Sequence, residues 1–258
     1  MEIMRITIIG AGNVATHLAE SLHNECVEIV QIFSRNLFNA KLLADKVNAE
    51  PIDSLQQFSP KANVCIFAVT DDVITALLQE NSAVFGNDVL LLHTAGSIPI
   101  DVFNNYTSQF GVFYPLQTFS KQRQLNFSEI PVFIEGNTRA AEDKIRHLAQ
   151  KITPKVYAVN FEQRRQLHLA GVFACNFPNY MYNIANQLVK SKFLTFEMLV
   201  PLIVETANKI QTLPPDKAQT GPAIRGDKAT IARHIEMLNE HKNWQKLYQL
   251  VTEEIMNL

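Results

Sequence analysis

The string Gly10-Ala11-Gly12-Asn13-Val14-Ala15 constrains this chain more than any other feature. It follows a β-branched run at 6–9 and opens a helical pattern carried by Leu18, Ala19 and Leu22, so a GxGxxA motif falls on a strand-to-helix turn. Each position has a physical reason. Gly10 permits the tight turn, Gly12 lets a pyrophosphate come close to the backbone, and Ala15 keeps the helix near the sheet, with the helix N-terminus aimed at the phosphates. Gly10, Gly12, Asn13 and Val14 are therefore expected to touch a dinucleotide.

The next strand end refines that expectation. An acid commonly stands there to hold the ribose hydroxyls of NAD, whereas this chain reads Phe33-Ser34-Arg35-Asn36. A hydroxyl and a guanidinium suit a 2′-phosphate, because arginine offers forked, charge-assisted hydrogen bonds. Ser34 and Arg35 thus point to NADP, although a solvated Arg35 opening the next helix fits the same residues. Ala68, Val69 and Thr70 end a further strand and are expected to line the cofactor with their backbone, while the Thr70 or Asp71 side chain caps the following helix.

Short β-branched runs at 6–9, 29–33, 64–69, 89–93, 112–114, 132–134 and 156–159 alternate with helical patterns. This alternation predicts an α/β fold with a doubly wound parallel Rossmann-like sheet in residues 1–160. Beyond that point only helical spacing remains, at 162–190, 196–211, 228–240 and 244–255, so residues 161–258 are expected to form an all-helical C-terminal domain. Pro178 lies inside the longest pattern and should kink or break it near Ala174 and Cys175. The Pro- and Gly-containing stretch 213–222 is expected to be a loop.

With 23 basic and 25 acidic residues spread along the chain, the formal charge of −2 creates no strong field for nucleic acid or an anionic membrane. The opening residues, 1–9, read as strand rather than leader, and no apolar run is long enough to span a bilayer, which implies a cytoplasmic protein. Cys26, Cys65 and Cys175 are an odd, widely spaced set inside apolar runs, more consistent with buried reduced thiols than with disulfides or a metal site.

Further strings carry a resemblance: the strand end Ala68-Val-Thr-Asp-Asp72, His93-Thr-Ala-Gly-Ser97, Tyr114-Pro-Leu-Gln-Thr-Phe119, His168-Leu-Ala-Gly-Val-Phe-Ala-Cys-Asn176 and Thr220-Gly-Pro-Ala-Ile-Arg-Gly-Asp227. Together with the glycine motif, over nearly the whole chain, they resemble Rossmann-type NADP oxidoreductases related to pyrroline-5-carboxylate reductase and deazaflavin-dependent NADP reductase. The similar branch pairs a Rossmann-like part with a helical domain of unknown function. Many members carry His where this chain has Tyr114. Related hydroxyacid dehydrogenases place a Lys one turn before an Asn in the first long helix of the second domain, but the residue four before Asn176 is Val172. The resemblance therefore implies NADP(H) chemistry without the usual lysine donor. It also implies a homodimer, because related reductases pair through the helical half, where this chain has several apolar faces.

Hydride transfer needs a proton donor and groups that orient the acceptor. His168 and Asn176, with Cys175, Asn179 and Asn183, can share a broad polar side of the long helix, which either lines a cleft or is satisfied by neighbouring helices. His93 either serves the site or fixes the turn after its strand, and Ser97 is expected to cap the next helix. Arg225, in a loop before the expected N-cap Asp227, is either an exposed structural residue or the partner of a substrate carboxylate or cofactor phosphate. His168, Asn176, His93 and Arg225 are thus the catalytic candidates for reducing a small C=O or C=N compound. The opposing reading is a sensor that binds NADP(H) without chemistry.

Overall fold

The computed structural model describes residues 3–81 and 83–258; Met1 and Glu2, in the opening stretch 1–9, and Ser82 lie outside them. An eight-stranded sheet runs in the order β3-β2-β1-β4-β5-β6-β7-β8. Its strands are β1 (Arg5–Ile9), β2 (Glu28–Phe33), β3 (Glu50–Ile52), β4 (Val64–Phe67), β5 (Leu90–His93), β6 (Phe110–Pro115), β7 (Val132–Gly136) and β8 (Val156–Ala158). The first six in chain order pair parallel, with the order reversing beside β1 as a doubly wound fold requires.

Two differences from the expected sheet have local causes. β3 is short and carries Pro51, which hides it from a pattern search. β7 runs antiparallel to β6, because the connection 116–131 contains only a 3₁₀ turn at Phe127–Glu129 and no crossover helix to bring the chain back parallel. β8 then pairs parallel with β7 after α4 (Arg139–Ile152).

Alternation along the strands builds a core on both faces. Ile6 and Ile8 of β1, Val64 and Ile66 of β4, and Leu90 and Leu92 of β5 pack on one side with α1 (Asn13–Asn24), α2 (Leu37–Val47) and α4. Ile9, Cys65, Phe67 and Leu91 face the other side, toward α3 (Asp71–Glu80) and Phe103. Burial raises the Cys65 thiol well above its ordinary value and keeps it protonated. The expectation of three buried thiols holds for Cys65 alone: Cys175 is half-buried, and Cys26 is exposed, in a left-handed conformation (φ 57°) just after α1.

After β8, α5 (Phe161–Gly171) starts at a capping box made by Asn160 and Gln163. It passes into a π-helical turn, Val172–Asn176, and then α6 (Phe177–Lys190). Pro178 explains the wide turn: it has no N–H to donate and its ring clashes with the carbonyl four residues back, at Ala174. The expected break thus occurs as an extra residue in the helix.

The chain divides into two compact units, 1–175 and 176–258. The second contains α6, α7 (Val200–Lys209), α8 (Pro215–Ala218), α9 (Lys228–Met237) and α10 (Lys242–Met256). α8 is one turn of helix inside the stretch expected to be loop. The Asp227 carboxylate accepts from the Thr230 backbone N–H and so caps α9 as expected; that bond also lowers its pKa. No helix among the described residues is long and apolar enough to cross a membrane.

Candidate functional site

A cleft of about 1050 Å³ opens at the carboxyl ends of the parallel strands. Its lining includes Gly10, Ala11, Gly12, Asn13 and Val14 from the first turn, Ser34 and Arg35 beyond β2, and Ala68, Val69 and Thr70 beyond β4. All nine residues expected to hold a cofactor therefore meet in one cavity. Local chemistry fits a dinucleotide there. Gly10 has φ +126°, and a Cβ at this position would stand 2.3 Å from the Ala68 carbonyl oxygen, so β1 and β4 approach too closely for a side chain. At Gly12 a Cβ would meet nothing within 4 Å, leaving the space a phosphate would use.

The start of α1 is electrostatically open as well. Gly12 supplies no side-chain cap, and no acidic residue occupies the first turn, so the positive helix end is left for an anion. α2 is closed by contrast. The Asn36 side chain accepts from the Phe38 and Asn39 N–H groups at 3.0 and 3.4 Å, and the Ser34 hydroxyl accepts from the Asn36 N–H at 3.3 Å. Arg35 is exposed at the cleft and makes no ion pair among the described residues.

At the third strand end the side chains do something other than cap. Thr70 occupies the N-cap of α3 without a side-chain hydrogen bond, and the Asp71 carboxylate instead accepts a hydrogen bond from the Ser97 hydroxyl. This corrects the expected Ser97 cap too: Pro99 holds the N-cap of the 3₁₀ turn Ile100–Phe103. The Ser97–Asp71 bond ties the loop after β5 to the start of α3.

Tyr114 and His168 line the same cleft, and the Tyr114 hydroxyl lies 3.0 Å from His168 Nδ1. Tyr114 is 8% exposed, and burial pushes its pKa up to about 12, so the phenol stays neutral. A neutral phenol can donate to Nδ1 of neutral imidazole or accept from Nδ1–H of imidazolium, leaving Nε2 available in either state. Gly96 completes the arrangement. A Cβ there would lie 2.7 Å from His168 Cγ and Nδ1, so the turn accommodates the ring only without a side chain.

Arg164, one turn earlier on α5, is fully buried; it ion-pairs with Glu135 of β7 and donates to the Ile98 carbonyl. It thereby fixes the helix that presents His168. Sequence reading missed this anchor and the role of Tyr114, since no motif reports a contact between residues 54 positions apart.

His93 does not reach the cleft surface. It is buried, and its Nδ1 accepts from the Ala95 N–H at 3.1 Å, holding the 93–97 turn. Desolvation and then the Arg164 charge lower its pKa to about 3, with the Pro99 carbonyl pulling weakly the other way, so the ring is neutral. Asn176 and Arg225 belong to the second unit, where both are exposed. The π turn at Val172–Asn176 interrupts the helical period on which the His168-to-Asn183 polar stripe rests. From the last residue of that turn onward, Asn176, Asn179 and Asn183 keep their three- and four-residue spacing.

The sheet order, glycine turn and strand-end cleft define the Rossmann-type architecture of nucleotide-dependent oxidoreductases. Residues 130–255 match a domain of unknown function, DUF2520, and residues 1–84 match the shikimate / quinate 5-dehydrogenase model. A crystal structure from Bacteroides fragilis, described as a putative NADP oxidoreductase, is 43% identical, with a TM-score of 0.95 over 99% of this chain and 98% of that one. The chain belongs to the family of that protein. An imine reductase from Streptomyces aurantiacus shares the fold at 15% identity and TM-score 0.67, covering 98% of this chain and 96% of its own. A pyrroline-5-carboxylate reductase from Coxiella burnetii does so at 17% identity and TM-score 0.59, covering 99% and 97%. No curated protein gives a significant match.

Proposed function

We propose that the protein is an NADP(H)-dependent oxidoreductase that reduces a small C=O or C=N compound. The observation that carries this reading is a single cleft joining the glycine turn and Arg35 to the Tyr114–His168 pair. Its family relation to a protein described as an NADP oxidoreductase supports the same cofactor. The Gly12 turn would hold the pyrophosphate at the α1 N-terminus, and Ser34 with Arg35 would hold the 2′-phosphate.

When bound, the reduced nicotinamide supplies a hydride to the acceptor carbon, and the displaced π electrons go to the carbonyl oxygen or imine nitrogen. His168 supplies the proton to that atom from Nε2, while Tyr114 holds Nδ1 before and after the transfer. The balance is one hydride from the cofactor and one proton through His168, giving an alcohol or amine and oxidised cofactor. His93 supports the turn under His168 from the protein interior.

Asn176 and Arg225, both in the helical unit, are proposed to orient the carbonyl or imine and to neutralise a substrate carboxylate, and the protein to form a homodimer. The second unit favours that assembly by composition. Only Ala223, Leu238 and Thr252 are buried in it, whereas Phe193, Met198, Leu202 and Met237 are among its exposed apolar residues. Its cytoplasmic setting is proposed on the same footing as its small-molecule substrate.

A panel of keto acids, cyclic imines and deazaflavins, scored by NADPH consumption, tests the enzyme reading. At least one carbonyl or imine should be reduced, with His168→Ala lowering the rate about 10²-fold or more at unchanged NADPH affinity. Tight NADPH binding with no turnover across the panel would instead favour a sensor.

A further inference from the structure

The loop after β6 crosses the glycine turn and is fastened to it at three points. Asn13 Nδ2 donates to the Phe119 carbonyl at 3.0 Å, and His17 Nε2 meets the Ser120 carbonyl at 2.9 Å. Lys121 Nζ donates to the Ala11 carbonyl at 2.7 Å. The His17 and Phe119 rings also pack at 5.4 Å between centroids. Phe119 and Lys121 line the large cleft together with residues 10–14.

These contacts have a directional consequence. Two carbonyl dipoles of the loop are occupied by side chains of α1, while the lysine ammonium is held at the turn itself. An ammonium has three protons to donate, and the Ala11 carbonyl takes one.

Charge balance gives the ammonium a purpose. A dinucleotide pyrophosphate carries about two negative charges, against roughly half a positive charge from a helix N-terminus. α1 brings no basic side chain to its first turn, and Arg35 lies at the end of β2, where a 2′-phosphate would be. Without Lys121 the pyrophosphate of the proposed cofactor would face only the partial charge of the helix end; with it, most of the two charges is countered.

We propose that residues 119–121 form a strap over the glycine turn and that Lys121 is the cation for the cofactor pyrophosphate. This rests on the dinucleotide-binding reading above and extends it to a residue outside the glycine motif. Lys121 and Arg35 then divide the work: Lys121 serves any nicotinamide dinucleotide, whereas Arg35 selects the phosphorylated one.

Titration of the full-length protein with NADPH and with NADH, by cofactor fluorescence or calorimetry, separates these roles. Lys121→Met should weaken both cofactors by the same factor, about tenfold, and flatten the salt dependence of binding. Lys121→Arg should retain most of the affinity and the salt dependence. Arg35→Ala should weaken NADPH alone.

Two controls keep the test decisive. If Lys121→Met melts early, the Arg variant and the salt dependence read the charge independently of the strap's structural role. Unchanged affinity for both cofactors in Lys121→Met, unchanged salt dependence, or loss confined to NADPH would overturn the pyrophosphate assignment. Failure of the wild-type protein to bind either cofactor would instead remove the dinucleotide reading, and this inference with it.

Discussion

The proposed cofactor choice rests on one guanidinium. Arg35 stands at the cleft with no carboxylate partner among the described residues, so its charge is available to a 2′-phosphate. Replacing it with alanine should weaken NADPH by about 10- to 100-fold and leave NADH nearly unchanged in a paired titration, since charge-assisted hydrogen bonds contribute about 1.5–3 kcal/mol. Equal losses for the two cofactors would place Arg35 elsewhere in the binding mode. Tyr114 poses a different question, because its hydroxyl acts through His168. In Tyr114→Phe the imidazole Nδ1 resonance should move in ¹⁵N NMR and turnover should fall, while NADPH affinity stays the same. His93 writes its burial into the pH dependence of stability. The unfolded chain takes up a proton on this residue near pH 6.5, whereas the folded chain resists it until about pH 3. Its burial therefore adds no pH-dependent cost above about pH 6.5 and becomes increasingly destabilising as pH falls toward 3, by a few kcal/mol. Urea denaturation across that range should show a shallower loss for His93→Asn than for the wild type.

At the scale of elements, the helix carrying His168 is positioned by a buried ion pair. Removing Glu135 leaves the fully buried Arg164 guanidinium without its carboxylate, so Glu135→Leu should destabilise the protein by about 3–5 kcal/mol in denaturant unfolding. A loss of catalytic rate that persists at temperatures where the variant remains folded would separate positioning of His168 from gross unfolding. The legibility of the elements followed their physics. Strands buried on both faces are continuous apolar runs, and a strand-glycine-helix turn has few alternatives, so the central sheet and the nine positions that line the cleft could be read directly. The Pro178 break was legible because a missing N–H has an unavoidable local consequence. β3 was not, because three residues with a proline make no strand pattern; nor were the antiparallel direction of β7 and the Ser97–Asp71 bond, which depend on how the chain returns in space. The Tyr114–His168 contact is of the same kind: a departure from a familial motif became intelligible only when its partner was in place.

For the whole molecule, the helical unit supplies the clearest expectation. Residues such as Phe193, Met198, Leu202 and Met237 are too exposed for a settled core, and a second copy would bury such surface by symmetry. Light scattering at micromolar concentration should give twice the 29.1 kDa chain mass. A monomer would contradict the proposed assembly. The proposed function depends on one arrangement: cofactor phosphates at the glycine turn and Arg35, with the nicotinamide beside His168. A crystal structure with NADPH bound is its most direct measurement. It should place the pyrophosphate against the Gly12 turn, the 2′-phosphate within hydrogen-bonding distance of Ser34 or Arg35, and nicotinamide C4 facing the space beside His168. A nicotinamide turned away from Tyr114 and His168, or a 2′-phosphate left in solvent, would contradict it.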